Sequence, residues 1–172
     1  MTTIRYSSIE DIILTEGVVT YKVKGKSMEP MIIDNRDLVT IRRKKVSDHF
    51  VENDIVLYRQ KGNLTLHRIV EVLSNGEYVM LGDNCSRKEY GIHDDDIIGI
   101  LTSFKHNGTH YELTDAIYLS YVQELREKEH IRTRRKLIYD IIVNHLGFLP
   151  ANVYAKIKNI FKKLILYKTN VL

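Results

Sequence analysis

Short apolar runs separated by turn residues fill the chain between residues 18 and 104. The clearest turn signal is Ser74-Asn75-Gly76, because an Asn-Gly pair readily adopts the positive φ values of a two-residue hairpin turn. It predicts a hairpin between strands at residues 64–73 and 78–81. Other runs predict further strands, at residues 18–23, 38–42, 54–58 and 97–104. Several short strands at this spacing indicate a small, curled, largely antiparallel sheet.

Helical patterns lie on both sides of this β-rich region. Residues 9–15 carry isoleucines on one face and predict a short helix that Ser7 or Ser8 caps and that ends at Gly17. Later in the chain, apolar residues recur at helical spacing and predict a helix over residues 115–146. Residues 152–167 predict a second helix, which is amphipathic and basic. The expected fold class is therefore α+β, with a β-rich domain followed by a helical C-terminal tail.

Length and composition narrow the classes of protein that fit this chain. Its 172 residues suffice for one domain with a core, expected at residues 1–113, and a helical appendage at residues 114–172. Cys85 is the only cysteine, which excludes an internal disulfide and a structural zinc site built on thiolates. No apolar run approaches the ~20 residues that cross a bilayer. The first residues also lack the apolar core of a secretory signal, so a cytoplasmic location is expected.

At residues 25–31 the chain reads Gly-Lys-Ser-Met-Glu-Pro-Met. Gly25 permits a tight backbone path close to a substrate. Pro30 fixes φ and removes a backbone donor just beyond the serine. Ser27 is therefore a candidate nucleophile held at an exposed bend. The alternative is an ordinary turn between two strands, because Gly, Lys, Ser and Pro are all common turn residues.

Two later blocks accompany this one, His67-Arg68-Ile69-Val70 and Gly82-Asp83-Asn84. In this order and spacing the three blocks resemble the signal peptidase superfamily, which also contains the LexA repressor. The resemblance covers about residues 17–101 and implies a β-rich, partly closed barrel. Members that use lysine as general base carry it at the start of the second block. This chain has His67 there, which is similar to the archaeal and endoplasmic-reticulum branch of signal peptidases.

The resemblance assigns a role to each ionisable group of the candidate site. A serine hydroxyl needs a base within hydrogen-bond reach, and histidine suits that task because its pKa lies near the working pH. Ser27 is the expected nucleophile and His67 the expected base, although a purely structural histidine is the alternative. An acid should orient the histidine. Asp83 is the first choice and Glu89 the second, and the run at residues 94–96 is a further candidate that is more typical of a solvated turn.

The surroundings of the serine complete the predicted site. The backbone N–H of Ser27 is the expected oxyanion donor. Gly25, Met28 and Pro30 are expected to shape the substrate cleft, and Met28 is equally suited to a packing role. No metal or cofactor is expected, because the His and Asp residues show no known ligand spacing.

These assignments predict a serine endopeptidase of the signal peptidase type that cleaves an extended peptide. Relatives bind such a peptide as an added strand. Because no spanning segment is found, the leader of a cytoplasmic peptide precursor is the expected substrate. Two alternatives stay open: a degenerate module that binds peptides without cutting them, and a LexA-like regulator that cleaves itself. The regulator needs an N-terminal DNA-binding domain, for which the residues before Ser27 are too few.

The basic C-terminal segment indicates two kinds of contact. A basic amphipathic helix can lie on an anionic membrane, and it can also pack its apolar face on the β-rich domain. The cationic run at residues 132–136 lies in a helix with many acidic residues upstream, so nucleic acid is not expected as a partner. The expected partner is a peptide or protein substrate, with peripheral membrane contact as an addition. The oligomeric state is left open.

Overall fold

One antiparallel sheet of eight strands forms the centre of the computed structural model, which describes residues 8–127, 129–146 and 149–161. In chain order the helices and strands are α1 (Ile9–Glu16), β1 (Val18–Lys22), β2 (Leu38–Arg43), β3 (Ile55–Gln60), β4 (Asn63–Val72), β5 (Tyr78–Leu81), β6 (Glu89–Ile92), β7 (Ile97–His106), β8 (Thr109–Glu112), α2 (Ala116–Glu127), α3 (Glu129–His145) and α4 (Ala151–Phe161). The α+β class predicted from the sequence is confirmed. The part of the 152–167 helix beyond residue 161 lies outside the described residues.

The strands follow the order β1-β2-β7-β3-β4-β5-β6, and β8 adds to β7. Every ladder is antiparallel. Within the described chain the two end strands, β1 and β6, do not pair with each other, so the sheet is open. The hairpin predicted at Asn75-Gly76 is confirmed, since it joins β4 to β5. Its turn differs from the expected two-residue type, because Gly76 has a positive φ whereas Asn75 does not, and Leu73 bonds to Glu77 across the loop.

Strand β7 connects the two halves of the sheet. Its first half lies between β2 and β3, and its second half pairs with β2 and β8. Where β7 meets β2, a Cβ atom at Gly99 would lie 2.5 Å from the carbonyl oxygen of Arg42. This close backbone approach requires glycine, as often happens where a strand is crowded.

The N-terminal helix begins and ends as the sequence predicts. The Ser8 side chain accepts a hydrogen bond of 3.1 Å from the backbone N–H of Asp11, which caps the first turn. Gly17 adopts a left-handed conformation with φ of 78° and ends the helix. Ile13 is fully buried, so the helix packs against the sheet and leads directly into β1.

Two hydrophobic clusters make up the core of the described chain. The larger joins α1 and α2 to the sheet and includes Ile41, Phe104, Tyr118 and Tyr121. The smaller lies among strands β3 to β7 and includes Ile69. Helix α2 is therefore fixed to the sheet through buried aromatic residues. No helix within the described ranges has the length and apolar character that a membrane crossing requires.

Strands β6 and β8 are absent from the pattern-based prediction. Their sequences, Glu-Tyr-Gly-Ile and Thr-His-Tyr-Glu, show no alternation of apolar and polar residues. Ile92 is the one buried residue of β6, and β8 buries no residue completely. Both strands form by pairing with a neighbour and not by burying an apolar face, so their sequences carry little strand signal.

Candidate active site

Ser27 lies in the loop between β1 and β2, and hydrogen bonds hold this loop from two sides. The backbone N–H of Gly25 donates to the Asp34 side chain at 2.9 Å. Asn84 donates its backbone N–H to the Ser27 carbonyl at 2.7 Å and its side-chain amide to the Lys26 carbonyl at 2.9 Å. The Gly-Asp-Asn block thus fixes the backbone around the candidate nucleophile.

Gly82 lies where the candidate nucleophile and base come together. A Cβ atom at this position would lie 2.7 Å from the Ser27 carbonyl oxygen and 2.9 Å from Nε2 of His67. It would also meet Sγ of Cys85 at 2.8 Å. Since these atoms surround one point, the Ser27 carbonyl and the His67 ring lie close to each other, and a side chain at position 82 would collide with both.

The two polar groups that Ser27 would use in catalysis are unengaged. Neither its hydroxyl nor its backbone N–H makes a hydrogen bond with another described residue. The hydroxyl is therefore free to turn toward a base, and the N–H is free to bind a developing oxyanion.

His67 is buried on β4, and its Nδ1 atom faces away from Ser27 toward two other side chains. The Tyr58 hydroxyl lies 3.1 Å from Nδ1 and donates a short hydrogen bond to the Glu89 carboxylate. The Glu89 oxygen itself is 3.5 Å from Nδ1. The second-choice acid therefore lies beside the histidine, with a tyrosine between them.

Burial lowers the pKa of His67 below its usual value, because the charged imidazolium is poorly solvated there. The negative charges of Glu89 and Asp83 act in the opposite direction. The net direction leaves His67 neutral at pH 7, as a general base must be. Burial, together with the Glu89 charge, raises the pKa of Tyr58, which therefore stays a protonated phenol.

Asp83, the first-choice acid, is bound to Arg68 and does not contact His67. Arg68 donates from Nε at 3.0 Å and from Nη2 at 2.8 Å to the two carboxylate oxygens. The Tyr121 hydroxyl donates to the same carboxylate at 2.9 Å. Both charged side chains are almost completely buried. Asp83 therefore acts on the residue that follows the histidine, and Glu89 is the carboxylate that reaches the ring.

Arg68 makes further contacts that connect distant parts of the chain. Its Nη1 atom donates to the Asn53 carbonyl and to the Tyr118 hydroxyl, both at 3.0 Å. Its Nη2 atom lies 3.7 Å from Sδ of Met31, just beyond the serine loop. The guanidinium thus joins α2, the serine loop and the end of β5.

The three predicted cleft residues occupy different environments. Met28 is 1% exposed and belongs to the larger core cluster, so the structure places it in the packing role. Gly25 has φ of 106° and faces open space. Pro30 is partly buried and follows a cis peptide bond from Glu29.

The acidic run at residues 94–96 lies away from His67. It forms one 3₁₀ turn before β7, and the Asp96 side chain accepts a hydrogen bond from the His93 backbone. Among the described residues, no group of three or more His, Cys, Asp or Glu side chains is arranged to hold a metal ion.

Tyr58 is the neighbour of His67 that sequence reasoning missed. On the β3–β4 ladder Val56 pairs with His67, and Tyr58 is two residues further along β3. Residues two apart on a strand share a face, so Tyr58 is a diagonal neighbour of His67. Counting this register outward from the turn at residues 61–63 would have found it.

An antiparallel sheet that brings a serine and a buried histidine together defines a candidate serine peptidase centre. A family model described as Peptidase S24-like matches residues 3–102, which is more than half of the chain. The chain therefore belongs to this peptidase family, and the superfamily resemblance of the three sequence blocks is confirmed. A search of curated proteins found no match. The matched range includes Ser27, His67, Asp83 and Glu89.

The two acids can be separated by substitution. Asp83→Asn should lower the free energy of unfolding by about 3–5 kcal/mol, because it leaves the buried Arg68 charge without its counter-ion. Glu89→Gln should change stability by less than about 1 kcal/mol, because that side chain is partly exposed. It should instead slow modification of Ser27 by a serine-reactive probe at least about tenfold. Urea denaturation and probe kinetics on both variants provide the measurement.

A Glu89→Gln protein that unfolds easily yet reacts normally would show that Glu89 is a structural group. An Asp83→Asn protein of normal stability would contradict the structural role assigned to that carboxylate.

Proposed function

We propose that this chain is a serine endopeptidase in which Ser27 is the nucleophile and His67 the general base. The observation that supports the proposal best is that the Ser27 carbonyl oxygen and Nε2 of His67 both lie within 3 Å of the position a Cβ atom would take at Gly82. The free hydroxyl and backbone N–H of Ser27 support it further, since both groups are available to a substrate. Family membership supports peptidase chemistry in general.

The reaction follows from these positions. His67 Nε2 takes the proton of the Ser27 hydroxyl while Oγ forms a bond to the substrate carbonyl carbon. The carbonyl π electrons move to the oxygen, which the Ser27 N–H binds. Collapse of this intermediate breaks the C–N bond, and His67 returns the proton to the leaving amine. A water molecule then gives a proton to His67 and attacks the acyl carbon. The bond to Ser27 Oγ breaks, and His67 returns the proton to the serine.

Strand edges beside the site favour an extended peptide as substrate. β1, which leads to Ser27, has a strand neighbour on one side only within the described sheet. The first half of β4 pairs with β3, whereas its pairing with β5 begins at Arg68, after His67. Unpaired backbone N–H and C=O groups of this kind can hold an added strand. We propose the leader of a cytoplasmic peptide precursor as the chain that binds there.

The position of Glu89 bears on the alternative of a degenerate binding module. Histidine-type members of the superfamily that the three blocks resemble usually have one or two aspartates after the Gly-Asp-Asn block, and this chain has none at residues 85–90. Glu89 supplies a carboxylate near His67 in their stead. A site that has kept a nucleophile, a base and an acid is better explained by catalysis than by peptide binding alone.

Probe labelling tests the serine–histidine assignment directly. A phosphonylating probe should label the wild-type protein at Ser27, and Ser27→Ala should not react. His67→Ala should react at least about 100-fold more slowly than the wild type. Burial lowers the pKa of His67, so the neutral base persists to a pH below about 6.5. The labelling rate should therefore stay constant above this pH and fall only as the pH drops through the lowered pKa. Mass spectrometry of labelled peptides at several pH values gives both results.

Matched controls are available on exposed parts of the chain. Ser74→Ala in the β4–β5 turn and His110→Ala on β8 should label like the wild type. Labelling that survives both Ser27→Ala and His67→Ala would overturn the assignment.

Peptide cleavage tests the substrate. Purified protein incubated with leader-bearing precursor peptides should cut at least one of them, and Ser27→Ala should cut none. Failure to cut any of them, by a protein that the probe labels, would refute the leader substrate but not the serine peptidase. Fragments of the protein itself that depend on Ser27 would instead favour the LexA-like alternative.

We also propose that the C-terminal helices contact an anionic membrane. Leu137 and Ile141 on α3 and Ile160 on α4 are about half exposed, at 53%, 49% and 55%. α4 carries Lys156 and Lys158 and no acidic residue. Exposed apolar side chains next to cationic ones are the features of a helix that lies in a membrane interface.

Vesicle sedimentation tests this contact. The protein should sediment with phosphatidylserine-containing vesicles and much less with phosphatidylcholine vesicles, because the attraction needs anionic lipid. Replacing Lys156 and Lys158 together by glutamate should weaken sedimentation several-fold, whereas Lys61→Glu in the β3–β4 turn should not. Equal behaviour of the two vesicle types, or no binding, would contradict the proposal.

A further inference from the structure

The Tyr58 hydroxyl lies between the candidate base and its acid. It is 3.1 Å from Nδ1 of His67 and donates a short hydrogen bond to Glu89, whereas Glu89 and Nδ1 are 3.5 Å apart. A distance of 3.5 Å makes the direct contact much weaker than the two bonds through the phenol. The main connection between the acid and the base therefore passes through Tyr58.

The single proton of the phenol determines the state of the histidine. Since the Tyr58 hydroxyl already donates its one hydrogen bond to the Glu89 carboxylate, it can only accept a hydrogen bond from His67. Nδ1 must then carry a hydrogen, and in a neutral imidazole Nε2 must carry the lone pair. Nε2 is the ring nitrogen on the side of Gly82, where the Ser27 carbonyl oxygen also lies. The chain Glu89–Tyr58–His67 thus presents the basic nitrogen to the nucleophile.

Tyr58 itself is held firmly. Its side chain is fully buried in the smaller core cluster, and its backbone lies in β3, between β4 and β7. Burial keeps the phenol protonated, so it does not take over the role of the acid. Its position and its proton are therefore both fixed.

We propose that Tyr58 is a positioning residue that fixes the tautomer of His67 and connects the ring to the Glu89 carboxylate through hydrogen bonds. This proposal rests on the proposed peptidase function. When Nε2 receives the Ser27 proton, the imidazolium is stabilised through the phenol by the Glu89 carboxylate. The transferred proton stays on His67, and Tyr58 keeps its own. The arrangement replaces the direct acid–histidine contact of a serine triad by one with an inserted hydroxyl.

Other ionisable groups near His67 do not take this role. The carboxylate of Asp83 is bound by Arg68 and Tyr121. Sγ of Cys85 and Nε2 of His67 both lie around the Gly82 position, so this thiol is close to the other ring nitrogen. Tyr58 is the side chain whose hydrogen-bond geometry with Nδ1 is defined.

Tyr58→Phe tests the proposal because it removes one oxygen atom and keeps the ring in the core. The rate of probe labelling at Ser27 should fall about 10–100-fold, as is typical when the partner that orients a functional histidine is lost. The pH below which labelling declines should also move lower, since the imidazolium loses its stabilising link to Glu89. Adding Glu89→Gln to Tyr58→Phe should change the rate little, although Glu89→Gln alone slows it. Tyr78→Phe, at another buried tyrosine, should leave the rate and its pH profile unchanged.

A second measurement does not depend on catalysis. In protein that is enriched in the nitrogen-15 isotope and not treated with the probe, the nitrogen chemical shifts of His67 report which ring nitrogen carries the hydrogen. The wild type and Tyr78→Phe should show the Nδ1-protonated tautomer, and Tyr58→Phe should show a mixture or the other tautomer. This separates the two ideas: the tautomer result can hold even if Ser27 proves unreactive and the peptidase function fails.

Three outcomes would overturn the role of Tyr58, two from the tautomer of His67 and one from the double variant. One is a wild-type His67 protonated on Nε2. Another is a Tyr58→Phe protein whose tautomer and pH profile both match those of Tyr78→Phe. Strictly additive effects of Tyr58→Phe and Glu89→Gln on the labelling rate would likewise refute a link through the phenol.

Discussion

The buried ion pair between Arg68 and Asp83 holds the site together. Two charges out of water are tolerated only when their hydrogen-bonding groups are satisfied, and here the guanidinium and carboxylate bind each other, two tyrosines and a backbone carbonyl. Arg68 directly follows His67 and Asp83 directly follows Gly82. The pair therefore sets how the end of β5 lies against β4, and so brings Nε2 of the histidine to the serine loop.

Each residue of the Gly-Asp-Asn block makes a different contact in the candidate site. Gly82 leaves room for the serine carbonyl and the imidazole to approach. Asp83 neutralises the arginine beside the histidine. Asn84 binds two carbonyl groups of the serine loop. Gly82 and Asn84 both meet the Ser27 carbonyl, whereas Asp83 between them binds Arg68, so three consecutive residues connect the serine loop to β4.

Local signals in the sequence were sufficient for the elements that depend on them. The Ser8 cap, the Gly17 end and the Asn75-Gly76 turn each act within a few residues, and all lie as predicted. The choice between two acids depends instead on contacts across the sheet. Charged residues are usually exposed, so the sequence pattern did not predict that Arg68 is buried and forms an ion pair with Asp83. The tyrosine was missed for the same reason, because its place beside the histidine follows from strand register.

The open edge of β1 carries a risk of aggregation. A strand with one open edge in the described sheet can accept an added peptide strand, as proposed above, yet it also offers a template on which other copies of the protein can stack. β1 is five residues long, and lysines stand at alternate positions from its last residue onward, Lys22, Lys24 and Lys26. Short length and repeated positive charge are the devices by which sheet proteins discourage such stacking. These features of the β1 edge are compatible with transient pairing of a peptide and disfavour stable pairing with a second copy of the protein.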